Sequence, residues 1–272
     1  MTHWLSDPAL AGLTLGTKEF FQAQRRMIAR KPLIKRCYDL WYYTLLKDAE
    51  SVPSERKGAI IELGSGLSYV KQIRPDVVTS DIEPGLADLA LDARSLPFAD
   101  GSVRAILLTH VFHHIPDVGR FLQEACRVLV PGGVISMVEV THTPFARFFF
   151  STFHPEPYDD RTRRWDFREG HTILDSNQAL SWIVFQRDIV QFRTSFPLLA
   201  VEEWSYLPWL SYLLSGGVNL RSLVPPFLAP VFPVLDWALK PLDGLFAVHW
   251  HCRIRRLPSP LTRPPVIGES QP

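Results

Sequence analysis

Ile60-Ile61-Glu62-Leu63-Gly64-Ser65-Gly66 is the stretch whose reading decides the fold. Apolar residues of extended character carry one acid and run into Gly-Ser-Gly, and a helix-competent stretch over 68–74 follows. Strand, tight glycine turn and helix are how an open α/β sheet presents a nucleotide site at the carboxyl end of its first strand. Glycine permits both the tight turn and the close approach of a ligand to the backbone. The next apolar run, Val77-Val78-Thr79-Ser80, closes on Asp81. An acid about 20 residues after the first strand is the usual acceptor for ribose hydroxyls in such folds.

Working outward, only 82–87 separates Asp81 from Asp88-Leu89-Ala90-Leu91-Asp92. A parallel crossover takes roughly a dozen residues or more. The helix between the second and third strands is therefore expected to shrink to a turn, with Leu-Ala-Leu ending in Asp92 as the third strand. Leu96-Pro97-Phe98-Ala99-Asp100-Gly101-Ser102 reads as a turn, and 105–108 as a fourth strand ending at Thr109-His110. Phe121, Leu122, Ala125, Val128 and Leu129 recur at helical steps and predict a helix over 118–129. Pro131-Gly132-Gly133 stops it. The run 134–140 is almost continuously apolar, as expected of a strand buried on both faces. This order calls for an α/β fold with a doubly wound, mostly parallel, Rossmann-like sheet. An antiparallel sandwich would need more turn signals and alternating strands.

Over 60–140 these residues resemble the class I S-adenosylmethionine-dependent methyltransferases, in the small-molecule version with a type 11 core. The resemblance is carried, in order, by Glu62-Leu63-Gly64-Ser65-Gly66, Asp81, Asp92-Ala93, Leu96 to Ser102, His113-His114-Ile115 and Leu129-Val130-Pro131-Gly132-Gly133. It implies S-adenosyl-L-methionine as cofactor and transfer of its methyl group. By resemblance, Glu62, Gly64, Ser65 and Gly66 would face the methionine part of the cofactor. Asp81 would accept the ribose hydroxyls, and Ile82 would pack on the adenine face. Asp92 would take the adenine amino group, the Ala93 amide a ring nitrogen, and Thr109 and His110 would line the cofactor. The bland alternative for Asp81 or Asp92 is a helix cap or turn residue. Ser68 stands where the family usually has a third glycine, and a serine there can cap the following helix. A nicotinamide dehydrogenase would want Gly-x-Gly-x-x-Gly, and Tyr69 occupies the third glycine's place. The alternative to an enzyme is the same fold kept as a cofactor-binding or non-catalytic scaffold.

His113 and His114 are the candidate catalytic bases, because histidine titrates near neutral pH. The alternative is that one packs below the sheet and the other bonds a backbone carbonyl. No His/Asp/Glu/Cys set has metal-ligand spacing, so no metal is proposed. Beyond 140 the resemblance ends. Phe145, Phe148, Phe149, Phe150 and Phe153 lead into His154-Pro155-Glu156-Pro157-Tyr158 and then Arg161-Thr162-Arg163-Arg164. This segment leaves the carboxyl end of strand five over the crevice and is the natural acceptor loop, nominating His154, Glu156, Tyr158 and Arg164. A helix is expected over 176–192, a strand over 198–204, and a last strand over 247–255 that the resemblance makes antiparallel. The insert 204–245 is rich in Leu, Pro, Trp and Phe but too interrupted for a membrane span, which needs about 20 apolar residues. It reads as a helical cap inserted before the last strand, as an apolar lid for a lipid-like acceptor, or as a patch dipping into a bilayer face.

Upstream, helices are expected over 17–30 and 32–48, with Arg25, Arg26, Arg30, Lys31, Lys35 and Arg36 forming either a solvated face or a contact for an anionic lipid or substrate group. The chain divides into an N-terminal helical extension (1–57), a methyltransferase domain (58–256, with core 58–140 and acceptor and cap region 141–245) and a loose proline-rich tail (257–272). A formal net charge of +1 gives no global field to recruit nucleic acid. The expected partner is a small-molecule or lipid-linked acceptor, with peripheral membrane contact left open. Cys37, Cys126 and Cys252 make neither a disulfide framework nor a metal spacing, and no signal peptide is read at the start, so a cytoplasmic setting is expected.

Overall fold

The computed structural model describes residues 7–14, 16–53, 58–66, 68–167 and 175–259. Two helices come first, α1 (Lys18–Arg30) and α2 (Pro32–Glu50). Thr17 caps α1 by accepting the Phe20 amide at 3.3 Å, and Pro32 opens α2 at a position where its missing N–H costs nothing. The core follows as β1 (Ala59–Leu63), β2 (Val78–Asp81), β3 (Leu89–Ala90), β4 (Val103–Thr109), α3 (Val118–Val128) and β5 (Leu129–Val140). Then come α4 (Pro144–Phe153), α5 (Leu180–Trp182), a π-helical stretch (Ile183–Arg187), α6 (Ile189–Ser195) and β6 (Leu199–Tyr206). The cap consists of α7 (Trp209–Ser215), a 3-10 turn (Pro226–Val231), α8 (Phe232–Leu239) and α9 (Asp243–Phe246), and β7 (His249–Arg256) closes the fold.

The seven strands form one sheet in the order β3-β2-β1-β4-β5-β7-β6. All pairings among β1 to β5 are parallel, and β7 runs antiparallel to both β5 and β6. The strand order reverses between β1 and β4, and the crevice at such a switch point is where open α/β sheets bind ligands. One face of the sheet is covered by α2, whose Trp41, Leu45 and Ala49 share a core with Ile60, Ala105, Leu107 and Val138. The other face is covered by α3 and the segment from α5 to α6, around Phe112, Phe121, Phe185 and Phe192. Buried Asp48 fastens α2 to the sheet. It accepts from the Ser136 hydroxyl (2.6 Å) and Arg253 Nη1 (2.8 Å) and lies 2.7 Å from His251 Nε2.

Several expectations change. The stretch 68–74 is not an α-helix but a short 3-10 turn (Tyr69–Gln72), and Ser68 does not cap it. Ser68 instead takes φ +46°, the left-handed conformation that favours glycine, which explains why the related motif prefers glycine there. The helix expected over 176–192 starts later and is interrupted by the π-helical stretch. β5 begins ahead of Pro131-Gly132-Gly133 rather than after it. Lys31 is no part of a solvated basic face: it is buried, 3.3 Å from Asp7 Oδ2, and donates to the Leu220 carbonyl. The short β2-to-β3 connection is a turn, as the spacing predicts. Parts of the predicted linker (54–57) and tail (260–272) lie outside the described residues.

Candidate active site

The crevice is built from the loop after β1. Ser65 N donates to Ser80 O at 2.7 Å, and the Ser80 hydroxyl donates to Glu62 O at 2.8 Å, so the loop is pinned to the end of β2. Gly64 has φ +60°, and a Cβ there would lie 2.5 Å from Val111 Cγ2. Only glycine fits that position. Gly66 also has positive φ, and the ring of Phe21 from α1 stands against it. Asp81 is buried and spans the turn. Its Oδ2 accepts from Gly66 N (2.9 Å) and its Oδ1 from Glu83 N (3.1 Å).

Glu62 points into the interior from β1. Its Oε1 accepts the Tyr42 hydroxyl at 2.6 Å, and its Oε2 is buried with no hydrogen-bond partner among the described residues. Desolvation lifts its pKa from 4.5 to about 7, against the pull of the Tyr42 bond. An orphaned carboxylate oxygen in a glycine-walled crevice is what an ammonium group would satisfy, so the residues present fit the methionine end of S-adenosylmethionine. Ile82 stands 61% exposed beyond Asp81. Asp92 is less free than its expected role requires, because Arg94 holds it through its backbone N (2.8 Å), Nε (3.0 Å) and Nη2 (2.6 Å). Ala93 packs on the core, and Thr109 ends β4 opposite Val138.

On the acceptor side the chain gathers histidines. His110 follows β4 with φ +57°, a strained conformation for a residue with a side chain. Its ring lies 4.5 Å from that of His249 and 5.1 Å from Trp41. The 3-10 turn Phe112–His114 comes next. Glu139, near the end of β5, accepts the Val111 and Phe112 amides through Oε1 (2.8 and 2.7 Å) and meets His113 Nδ1 with Oε2 at 2.5 Å. On the far edge of the ring, His113 Nε2 is 3.3 Å from Glu156 Oε2, and His114 Nε2 is 3.6 Å from the same oxygen. Gln178 Nε2 donates to that oxygen at 2.8 Å and lies 2.8 Å from His154 Nδ1.

Burial would lower the pKa of His113, but the charges and hydrogen bonds of Glu139 and Glu156 raise it from 6.5 to about 10. His110 and His114 are driven the other way by burial, each to about 4, and His249 falls well below its ordinary value. Despite burial, Glu139 and Glu156 are both held below the usual carboxylate range by His113. The two carboxylates thus favour the protonated form of His113, while burial favours the neutral form of the three neighbouring rings.

Of the four expected acceptor residues, His154 and Glu156 join this cluster. Tyr158 lies beside it, with its hydroxyl 2.9 Å from His142 Nδ1. Arg164 does not join. It is 73% exposed and bound to Asp166 at 2.7 Å, because the segment after Asp160 turns to the start of α3, where Asp166 bridges Asp117. Glu139, His142, Gln178 and His249 escaped the sequence reading. For Glu139 a signal existed: a lone acid inside the apolar run of β5, one residue from its end. His249 comes from the last strand, brought beside His110 only by the antiparallel β5–β7 pairing.

Residues 64–137 match a protein family described as "Methyltransferase domain". The chain is 34% identical over 169 residues to the demethylmenaquinone methyltransferase of Beutenbergia cavernae, an alignment covering 50% of this chain and 69% of that one. It is 28% identical over 109 residues to phthiotriol/phenolphthiotriol dimycocerosates methyltransferase 1 of Mycobacterium ulcerans, covering 40% of each. Among solved structures, the geranyl diphosphate C-methyltransferase of Streptomyces coelicolor A3(2) superposes with a TM-score of 0.48 at 15% identity, over 93% of this chain and 89% of that one.

Proposed function

Since the chain belongs to the class I S-adenosylmethionine-dependent methyltransferases, we propose that it methylates a small apolar or lipid-linked acceptor met at a membrane surface. The cofactor's sulfonium makes its methyl carbon electrophilic. In this reading Glu62 takes the ammonium and the Gly64–Gly66 loop lies against the methionine part. Asp81 receives the ribose hydroxyls, Ile82 and Ala93 flank the adenine, and Asp92 shares its oxygens between Arg94 and the adenine amino group. Thr109 and His110 close the crevice at β4.

The acceptor would then lie between that crevice and the histidine cluster. Holding it in line is the main task, since orientation alone supplies about 7–11 kcal/mol in well-ordered systems. The rings of His110 and His249, kept neutral by burial, can accept hydrogen bonds or a proton there. His113 cannot act as a base, because both its edges face carboxylates. It holds Glu139 and Glu156 in place instead.

The observation that carries the choice of acceptor is the apolar surface beside the site. Phe227 and Trp237 in the cap are 77% and 76% exposed, and Val234 is 64% exposed. The surface runs on through α9 to α4, where Phe148 and Phe153 are more than half exposed. From α4, Phe150 reaches inward to His154 and His249, with ring centroids 5.5 and 6.2 Å away. Apolar side chains therefore pack continuously from the outer face to the cluster. A cavity of about 380 Å³ lined by Arg30, Lys31, Leu33 and Ser222 opens at the edge of the cap, with Arg30 as its exposed cation. Exposed apolar patches of this kind mark membrane or partner contacts. No helix among the described residues is long and apolar enough to cross a membrane.

The test is flotation of the purified protein with vesicles of phosphatidylcholine and phosphatidylglycerol, together with transfer of labelled methyl from S-adenosylmethionine into a lipid extract. The protein should float, and the double variant Phe227→Glu, Trp237→Glu should not, while still binding S-adenosylhomocysteine. Failure of the unaltered protein to float at low salt, with label entering only water-soluble acceptors, defeats the proposal.

A further inference from the structure

We infer that His113, His114 and Glu156 form a binding site for a divalent transition-metal cation of the zinc class on the acceptor side of the crevice. Their ligand atoms lie within 4.8 Å of one another. They come from two separate segments, the turn after β4 and the loop after α4, so the fold assembles a set that the spacing along the chain conceals.

The distances leave room for a cation between the three groups. His113 Nε2 and His114 Nε2 stand 3.3 and 3.6 Å from Glu156 Oε2. A charge-assisted N–H···O bond is about 2.7–2.9 Å long. Two donors on a tetrahedral ion with bonds of about 2.0–2.1 Å are separated by roughly 3.3–3.4 Å. Both observed separations are longer than that bond and close to the edge of a tetrahedral coordination shell.

The surroundings supply the rest of a metal site. Glu139 Oε2 sits 2.5 Å from His113 Nδ1 and is itself fixed by two backbone amides. That carboxylate–histidine pair turns Nε2 toward Glu156, the arrangement that orients and strengthens imidazole ligands. Gln178 Nε2, at 2.8 Å, steadies the Glu156 carboxylate. The side chains of His114 and Glu156 are 26% and 15% exposed, so an ion has a route in. Two histidines and one carboxylate leave coordination positions open. An acceptor oxygen bound there would have its pKa lowered. That last use rests on the methyltransferase reading; binding of the ion does not.

The experiment titrates chelator-treated full-length protein with Co²⁺, which reports on its ligands through visible absorption, and then displaces it with Zn²⁺. One equivalent of cobalt should bind with the intense bands of a tetrahedral site and be displaced by zinc. Glu156→Gln and His114→Gln should each abolish the spectrum. Glu139→Gln, which keeps all three ligands, should weaken binding by about 10–100-fold. Absence of a cobalt spectrum at millimolar metal overturns the inference, as does an unchanged spectrum in both ligand variants. Binding of S-adenosylhomocysteine to the same samples reports on the fold and on the cofactor reading separately, so the two can fail independently.

Discussion

Cofactor binding should carry a proton balance that traces to Glu62. The carboxyl is 1% exposed, and its desolvation sets a pKa of about 7. An ammonium pairs with the ionised form only, so the apparent dissociation constant is multiplied by one plus the ratio of protonated to ionised Glu62. Affinity should then rise roughly tenfold, or about 1.4 kcal/mol, between pH 6 and pH 8. S-adenosylhomocysteine is the ligand of choice, because its amino group stays protonated across this range. Calorimetric titration in two buffers of different ionisation enthalpy counts the proton released, which should be largest below pH 7. Glu62→Gln should flatten the profile and weaken binding at pH 8 by roughly ten- to a hundredfold, the worth of a hydrogen bond to a charged group. Without ligand the sign reverses. The folded state keeps a proton that the unfolded chain loses between about 4.5 and 7, so this group's contribution to stability falls as pH rises through that window, by up to about 3 kcal/mol. A pH-independent affinity in the unaltered protein, or the same slope in Glu62→Gln, refutes the assignment of the ammonium to Glu62.

Two further outcomes follow from the backbone and the core. Ser68→Gly should raise stability by about 1 kcal/mol in thermal denaturation, because it removes a left-handed serine that makes no capping bond, whereas Ser68→Val should lower it. Asp48→Ala leaves His251 and Arg253 without their shared buried carboxylate and should cost about 3–5 kcal/mol in urea unfolding, with the midpoint rather than the slope changing.

What the sequence discloses here depends on how local the cause is. The acids at the ends of β1 and β2, and the glycine between them, are legible because each strand end enters one crevice by the geometry of a parallel sheet. The missing β2-to-β3 helix is legible because so short a connection has no room for one. Ser68 misleads because a serine before a helix-competent run looks like a cap, and its positive φ is imposed by the β1 loop. Arg164 misleads because a charged loop looks alike whether it turns toward a site or away from it. The Glu139–His113–Glu156 axis cannot be read from spacing at all: it joins residues from β5, the turn after β4 and the loop after α4.

The N-terminal helices wall the glycine crevice as well as covering the core, and the reason lies in what the sheet lacks. β1 is followed by only a 3-10 turn, and β2 by no helix at all, so neither connection builds a wall beside the glycine loop. The wall is supplied from upstream. Tyr42 of α2 holds Glu62, Asp39 of α2 accepts the Tyr69 hydroxyl at 2.7 Å, and Tyr38, Tyr42 and Tyr69 pack with ring centroids 5.2–6.3 Å apart. Phe21 of α1 then lies on Gly66 from outside. The buried position that gives Glu62 its raised pKa is therefore made largely by aromatic side chains that precede the glycine motif. A Rossmann-like core with short connections and a helical extension that carries Tyr38 and Tyr42 thus complete one wall between them.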